Sequence, residues 1–291
     1  MESDNVSYRL ARAEYIISGI LYGTIGLFLH YVNLPSEVVV LFRGFVGSLF
    51  IFFYLKARKI SIDKKSIKDN LIWLVLSGAC LGLNWVFLFS SYRVASVAVG
   101  TLCNYMGPII VIILSPFLYK EKLTQTKILC VLMALVGIIF VSGVFDSSLS
   151  VNLKGVALGL MSAVCFVGLV IFNKKLKNIS SYDKAVSQLL MSAVTVLPYA
   201  MIINWGKNLS FDTRSLIICV ILGIVHTGVA YCFYFRALGT LSVQTFSILG
   251  YIEPVVAVIL SATILHEPIS LLGIIGAVLI IGAAVLSEIG H

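Results

Sequence analysis

Three side chains that can carry charge lie well inside long apolar stretches: Arg43, His226 and Glu253. At the centre of a membrane-spanning helix such a group costs about 2.5–3.5 kcal/mol on insertion scales, so each needs a compensating role. Glu253 stands near the middle of the run Val243–Leu265 and directly precedes Pro254, which withholds one helical hydrogen bond and frees a carbonyl. A carboxylate there can take up a proton or the cationic group of a solute, or it can brace two helices as a hydrogen-bonded strut. Arg43, in Val38–Leu55, has two readings as well. It can attract a carboxylate, on a solute or on an acid at a closing gate, or its long side chain can snorkel to the headgroups. The adjacent Gly44 and Gly47 favour a packed interior face. His226, midway along Leu216–Phe235, can change charge near neutral pH, although a lone histidine among Ile, Val and Thr also fits a hydrogen-bonded core position. Glu253 and His226 are thus the candidates for proton coupling. Around these charges, Asn84, Trp85, Asn104, Tyr105, Tyr231 and Tyr251 offer a mixed polar and aromatic lining. It would suit an amphipathic organic solute or, through cation–π contact, an amine.

The elements that must position these residues follow from composition. Of 291 residues, 59% are hydrophobic and 12% charged, with a mean hydropathy of +1.04. A soluble domain needs about a quarter of its residues charged, so a soluble globular protein is excluded. The apolar runs are Ala13–Tyr31, Val38–Leu55, Leu71–Tyr92, Val97–Leu118, Ile128–Val144, Leu153–Phe172, Ala185–Ile203, Leu216–Phe235, Val243–Leu265 and Ile269–Leu286. At about 20 residues per crossing, they predict an all-α polytopic membrane protein with ten transmembrane helices and no sizeable soluble domain.

The formal charge of +8 is a matter of topology rather than nucleic-acid binding. With the amino terminus inside, the inner segments hold Arg9, Arg12, Lys56, Arg58, Lys59, Lys64, Lys65, Lys68, Lys120, Lys122, Lys127, Lys174, Lys175, Lys177, Lys184 and Arg236, and the outer ones hold Arg93, Lys154, Lys207 and Arg214. That asymmetry predicts both termini on the cytoplasmic side of the cell membrane, with Trp73 and Trp205 as interfacial anchors. The start of the chain reads as a retained helix rather than a signal peptide. All six cysteines fall inside apolar runs without metal-type spacing and read as buried small hydrophobes.

The chain also resembles itself at an offset of 146 residues. Phe89, Ser96, Val97, Tyr105, Pro108, Leu114, Ser115 and Glu121 meet Phe235, Ser242, Val243, Tyr251, Pro254, Leu260, Ser261 and Glu267. This lays the third and fourth runs over the eighth and ninth and makes the unit five helices, residues 1–145 and 146–291. Five crossings reverse the entry side of the second copy, so the repeats are inverted, the architecture by which secondary transporters expose a midplane site to alternate sides. Glu253 aligns with Gly107, and Gly250 with Asn104. The two Pro-containing helices are therefore expected to meet with each polar side chain opposite the other's glycine, and Gly19/Gly23, Gly78/Gly82 and Gly155/Gly159 to permit close helix contacts.

Arg43 after Pro35-Ser36, Tyr105-Met106-Gly107-Pro108 followed by Lys120-Glu121-Lys122-Leu123, and Tyr251-Ile252-Glu253-Pro254 followed by His266-Glu267-Pro268-Ile269 resemble the EamA-type branch of the drug/metabolite transporter superfamily. The resemblance covers nearly the whole chain. It is weaker in the first helix of each half, where a tryptophan common in that branch is absent. It implies a ten-helix carrier whose helices one to four and six to nine enclose a central cavity. Family members export amino acids, other metabolites or toxic compounds, and some import metabolites, so the resemblance sets neither substrate nor direction. The expected activity is secondary transport of a small organic metabolite, with import by the same fold, or a non-transporting structural or receptor bundle, as the competing readings. The expected partners are a small-molecule substrate, the lipid bilayer and a second copy in a homodimer, with no nucleic acid and no cofactor. An intramembrane enzyme is disfavoured, since His266-Glu267 lacks the second histidine of a zinc-protease pattern and no intramembrane Asp pair exists. No Gly-rich phosphate loop marks a nucleotide-driven pump, and no filter-like loop marks a channel.

Overall fold

The computed structural model describes residues 2–119, 124–142 and 152–289, and among these it is all-helical with no strand. In chain order the helices are α1 (Glu2–His30), α2 (Ser36–Ala57), α3 (Lys64–Asp69), α4 (Leu71–Val94), α5 (Val97–Asn104), α6 (Met106–Tyr119), α7 (Gln125–Val141), α8 (Leu153–Asn173), α9 (Ser181–Ile203), α10 (Thr213–Gly223), α11 (Ala230–Leu238), α12 (Val243–Gly250), α13 (Ile252–Thr263) and α14 (Leu271–Ile289). Seven helical segments are long and apolar enough to cross a membrane, counting α5–α6 and α10–α11 as one each. Three shorter apolar helices accompany them: Gln125–Val141, Ile252–Thr263 and Leu271–Leu286. Glu121 with its flanking lysines, and the expected boundary between residues 145 and 146, lie outside the described residues.

The spanning helices depart from the uniform rods that the apolar runs suggest. The runs containing Pro108 and Pro254 each break at a tyrosine, Tyr105 between α5 and α6 and Tyr251 between α12 and α13. Proline lacks the N–H that would reach the carbonyl four residues back and its ring crowds that carbonyl, so the ladder opens at Asn104 and at Gly250. The run Leu216–Phe235 is also not a plain α-helix. Between α10 and α11, Ile224–Val229 forms a π-helical turn, a departure that hydropathy does not register because it alters the hydrogen-bond pattern and leaves apolarity unchanged. Between α2 and α4, the short α3 is capped by the Asp63 carboxylate, which accepts from the Lys65 and Ser66 amides.

Packing is dominated by α4 on α8 and α9, α2 on α9 and α10, α1 on α13 and α11, and α7 on α14. Glycines set these approaches. Gly19 and Gly23 face Ile252, Glu253 and Val256 of α13, Gly78 and Gly82 face α9, and Gly155 and Gly159 face Ala95 and the Gly100–Cys103 turn. A Cβ at Gly82 would sit 2.8 Å from the Ser192 carbonyl oxygen, a backbone atom that cannot rotate away. Gly82→Leu is therefore expected to destabilise the protein by about 1–3 kcal/mol or more, read as a lower thermal midpoint in detergent.

One expected pairing is corrected. Gly107 does not lie opposite a polar residue of the other Pro-containing helix: a Cβ there would meet the Phe166 ring of α8, at 2.7 Å from Cδ1. Gly250 faces the Tyr15 hydroxyl of α1, with a Cβ there at 3.2 Å. The helix breaks at Tyr105 and Tyr251 account for the shift, since α6 and α13 each leave the line of the preceding helix and pack on the first long helix of the opposite half of the chain.

Candidate functional site

A cavity of about 330 Å³ lies among α1, α2, α4, α5–α6, α8, α9, α11 and α13. Seven of the candidates border it: Arg43, Asn84, Trp85, Asn104, Tyr105, Tyr231 and Glu253. Tyr251 is not in the lining but lies behind Tyr105, with ring centroids 6.1 Å apart. His226 is also outside it, buried in the π-helical turn with Nε2 3.0 Å from Thr24 Oγ1 and its ring edge-on to Phe28.

Arg43 is 1% exposed, so it does not snorkel. Its guanidinium carbon lies 4.1 Å from the Trp85 ring centroid and 5.3 Å from that of Phe89, a desolvated cation–π arrangement. Its Nε donates to Thr227 Oγ1 at 3.1 Å. Arg43 and Glu253 border the same cavity without forming an ion pair with each other.

Glu253 sits in the first turn of α13, directly after the break at Tyr251. The Gly250 carbonyl freed by Pro254 accepts the Tyr105 hydroxyl at 3.4 Å, and that hydroxyl lies close to the Glu253 carboxylate. The phenolic groups of Tyr15, Tyr22, Tyr231 and Tyr234 also lie within electrostatic range of this acid. Glycine at position 23 permits this placement, because a Cβ there would meet the Glu253 carbonyl oxygen at 2.8 Å.

Asn84 and Asn104 are partly committed to packing. Asn84 Nδ2 donates to Asn104 Oδ1 and to the Ser162 carbonyl, both at 2.8 Å. The Ser162 hydroxyl lies 2.9 Å from Asn104 Oδ1. This cluster ties α4, α5 and α8 together at the cavity wall.

Several lining residues were not singled out by sequence, among them Tyr22, Tyr92, Phe166, Asn173 and Lys184. As single aromatics or polar residues near helix ends they carry no pattern of their own. Gln188 did have a signal, since the repeat places it near the mate of Arg43. It borders the cavity and donates to Ser77 Oγ at 2.8 Å and to Asn173.

A second cavity, of about 220 Å³, lies beside α5, α7 and α14. Its acid, Glu267, is already engaged, accepting the Val97 amide at 3.0 Å and the Ser261 hydroxyl. The first cavity, with a cation that has no ion-pair partner and an acid on its walls, is the candidate site. Among the described residues no cluster could hold a metal ion.

A helical membrane protein with a polar, aromatic cavity between its helices has the form of a solute carrier, and comparison with known proteins agrees. Residues 14–143 and 153–288 match the EamA-like transporter family, and the chain belongs to that family. It is 29% identical over 250 residues to the uncharacterized transporter YxxF of Bacillus subtilis, covering 85% of this chain and 79% of that one. It is 26% identical to the uncharacterized transporter YoaV of the same organism, covering 82% of each. A solved crystal structure superposes with a TM-score of 0.65 at 20% identity, over 95% of this chain and 96% of the other, a likeness of fold.

Proposed function

We propose that the protein is a secondary transporter that moves a small organic metabolite through the cavity by alternating access, in the direction of export, with Glu253 as its proton-coupling group. The observation that carries this reading is the unpaired Arg43 and the acid Glu253 on the walls of one aromatic cavity. A structural bundle would gain nothing from burying a cation and an acid on the walls of one cavity without pairing them.

The inverted-repeat reading supports the same conclusion. The five-helix exchange that the offset of 146 defines would map α4 on α8 onto α11 on α1, α5 on α8 onto α12 on α1, and α6 on α8 onto α13 on α1, while α2 on α9 and α7 on α14 would map onto themselves; all of these contacts exist. The family model likewise matches in two stretches, one in each half.

The cavity runs from Tyr92 to Asn173, Lys184 and Leu238. Near Tyr92 the halves are stitched together, by Glu267 to the Val97 amide and by Asn152 to the Val94 carbonyl. Arg93 also binds the Val32 and Leu34 carbonyls there. At the other end the lining includes Leu238, which is 42% exposed. By the charge asymmetry of the loops, the end near Tyr92 is the outer one; the inner end is bridged as well, by Asn70 with Lys177, Ser66 with Asn178 and Arg236 with Glu14. His226 has a structural role in this account. His226→Gln, with a side-chain amide to keep the bond to Thr24, is expected to leave the pH dependence of flux unchanged in proteoliposomes. Loss of that dependence would move the coupling site to the π-helical turn.

A further inference from the structure

We infer that Arg43 is a receptor for one carboxylate of the transported solute, and that Thr227 in the π-helical turn is the positioning residue that aims it. This rests on the reading of the cavity as a transport site. A guanidinium has five N–H donors, and in Arg43 one of them, on Nε, is held by Thr227 Oγ1. The groups facing Arg43 across the cavity are Tyr22, Tyr92, Tyr231 and Glu253, and none of them pairs with it as an ion. Trp85 covers one face of the guanidinium plane. The N–H donors on the two terminal nitrogens have no hydrogen-bond partner among the described residues, and with the positive charge they match a planar carboxylate in a two-point contact.

The π-helical turn supplies the aim. Across this turn the Thr227 hydroxyl donates to the Leu222 carbonyl, five residues back, at 2.9 Å. Arginine can only donate, so the Thr227 oxygen accepts from Nε while its own proton goes to the Leu222 carbonyl. Close backbone approach locks the pair: a Cβ at Gly47 would lie 2.6 Å from Thr227 Cγ2, and one at Gly223 would lie 2.6 Å from Val46 Cβ. π-helical turns are found often at functional sites. A monocarboxylate fits better than a phosphate, because a dianion would face the Glu253 carboxylate in the same cavity with one arginine to balance it.

The test uses the full-length protein in nanodiscs with Trp73 and Trp205 changed to phenylalanine, so that Trp85 is the emitter of the three tryptophans. Matched probes are titrated: acetate against acetamide, phenylacetate against phenylacetamide, phenylalanine against phenylalaninamide, and inorganic phosphate. At least one carboxylate should change Trp85 emission saturably and bind at least about tenfold more tightly than its amide. Thr227→Val should weaken that carboxylate about tenfold, equivalent to about 1.4 kcal/mol, leave the amide unchanged, and be rescued by Thr227→Ser. Equal affinity for acid and amide, no response to any carboxylate, a preference for phosphate, or identical binding by the valine and serine variants would overturn the inference. If Thr227→Val does not fold, the comparison of acid with amide in the parent still decides. Carboxylate binding without flux in liposomes would overturn transport and leave this receptor standing. Flux of neutral solutes, untouched by Thr227→Val, would do the reverse.

Discussion

Arg43→Met is expected to lower transport by about 100-fold or more while leaving the folded protein as stable as the parent, or slightly more stable. The two effects separate because Arg43 is buried without an ion-pair partner. Burying a charge has a desolvation cost of several kcal/mol, and replacing it with an apolar side chain of similar length removes that cost. Against this gain stand the cation–π contact with Trp85 and the bond to Thr227. These are worth about 0.5–2 kcal/mol and 1.5–3 kcal/mol respectively, so the balance lies close to zero or on the stabilising side. Transport has no such compensation. A hundredfold loss corresponds to about 2.7 kcal/mol, within the range of a charged hydrogen bond to the solute. Thermal unfolding in detergent together with flux in liposomes reads both. A variant that transports normally would make Arg43 a packing residue, and one that unfolds would make it a structural cation.

Glu253→Gln is expected to abolish accumulation driven by a pH gradient and to retain exchange of solute for solute. If one proton moves per solute, a gradient of one pH unit supplies about 1.36 kcal/mol and sustains up to about tenfold accumulation. With glutamine the ratio should fall to one, because the amide has nearly the same shape and hydrogen-bonding reach but cannot bind and release a proton. The surroundings of Glu253 tolerate that change, since the nearby Tyr105 hydroxyl can donate to an amide oxygen. Accumulation that persists in Glu253→Gln would place coupling elsewhere.

How much of this was legible in the residues differs between levels. The apolar runs found helices throughout, because hydropathy and length respond to what a bilayer demands. The glycine pairs also found their contacts, at α13, at α9 and along the Ala95–Cys103 turn. What the sequence did not reveal was where the rods break. Pro108 and Pro254 marked the weak points, yet the turn of α6 and α13 away from their preceding helices moved Gly107 onto Phe166 instead of the opposing polar residue. The π-helical turn was equally hidden, since Ile224–Val229 is apolar and has no proline. That turn decides which side His226 and Thr227 present, and so why the histidine packs on Phe28 while the threonine reaches Arg43. Rarity of charge was the most informative signal for the site. Two of the three charged candidates within the spans, Arg43 and Glu253, reached the cavity, and the aromatic and amide residues chosen around them did so as a group, apart from Tyr251.

In the proposed mechanism this cavity carries a solute across the membrane. The most direct test is reconstitution of the purified, folded protein into liposomes, with flux and counterflow measured for amino acids, amines and nucleosides under an imposed pH gradient. Transport by alternating access predicts saturable flux of at least one solute class, accelerated by solute on the opposite side and dependent on the gradient. Absence of flux and exchange for every class, with the protein folded, would contradict it.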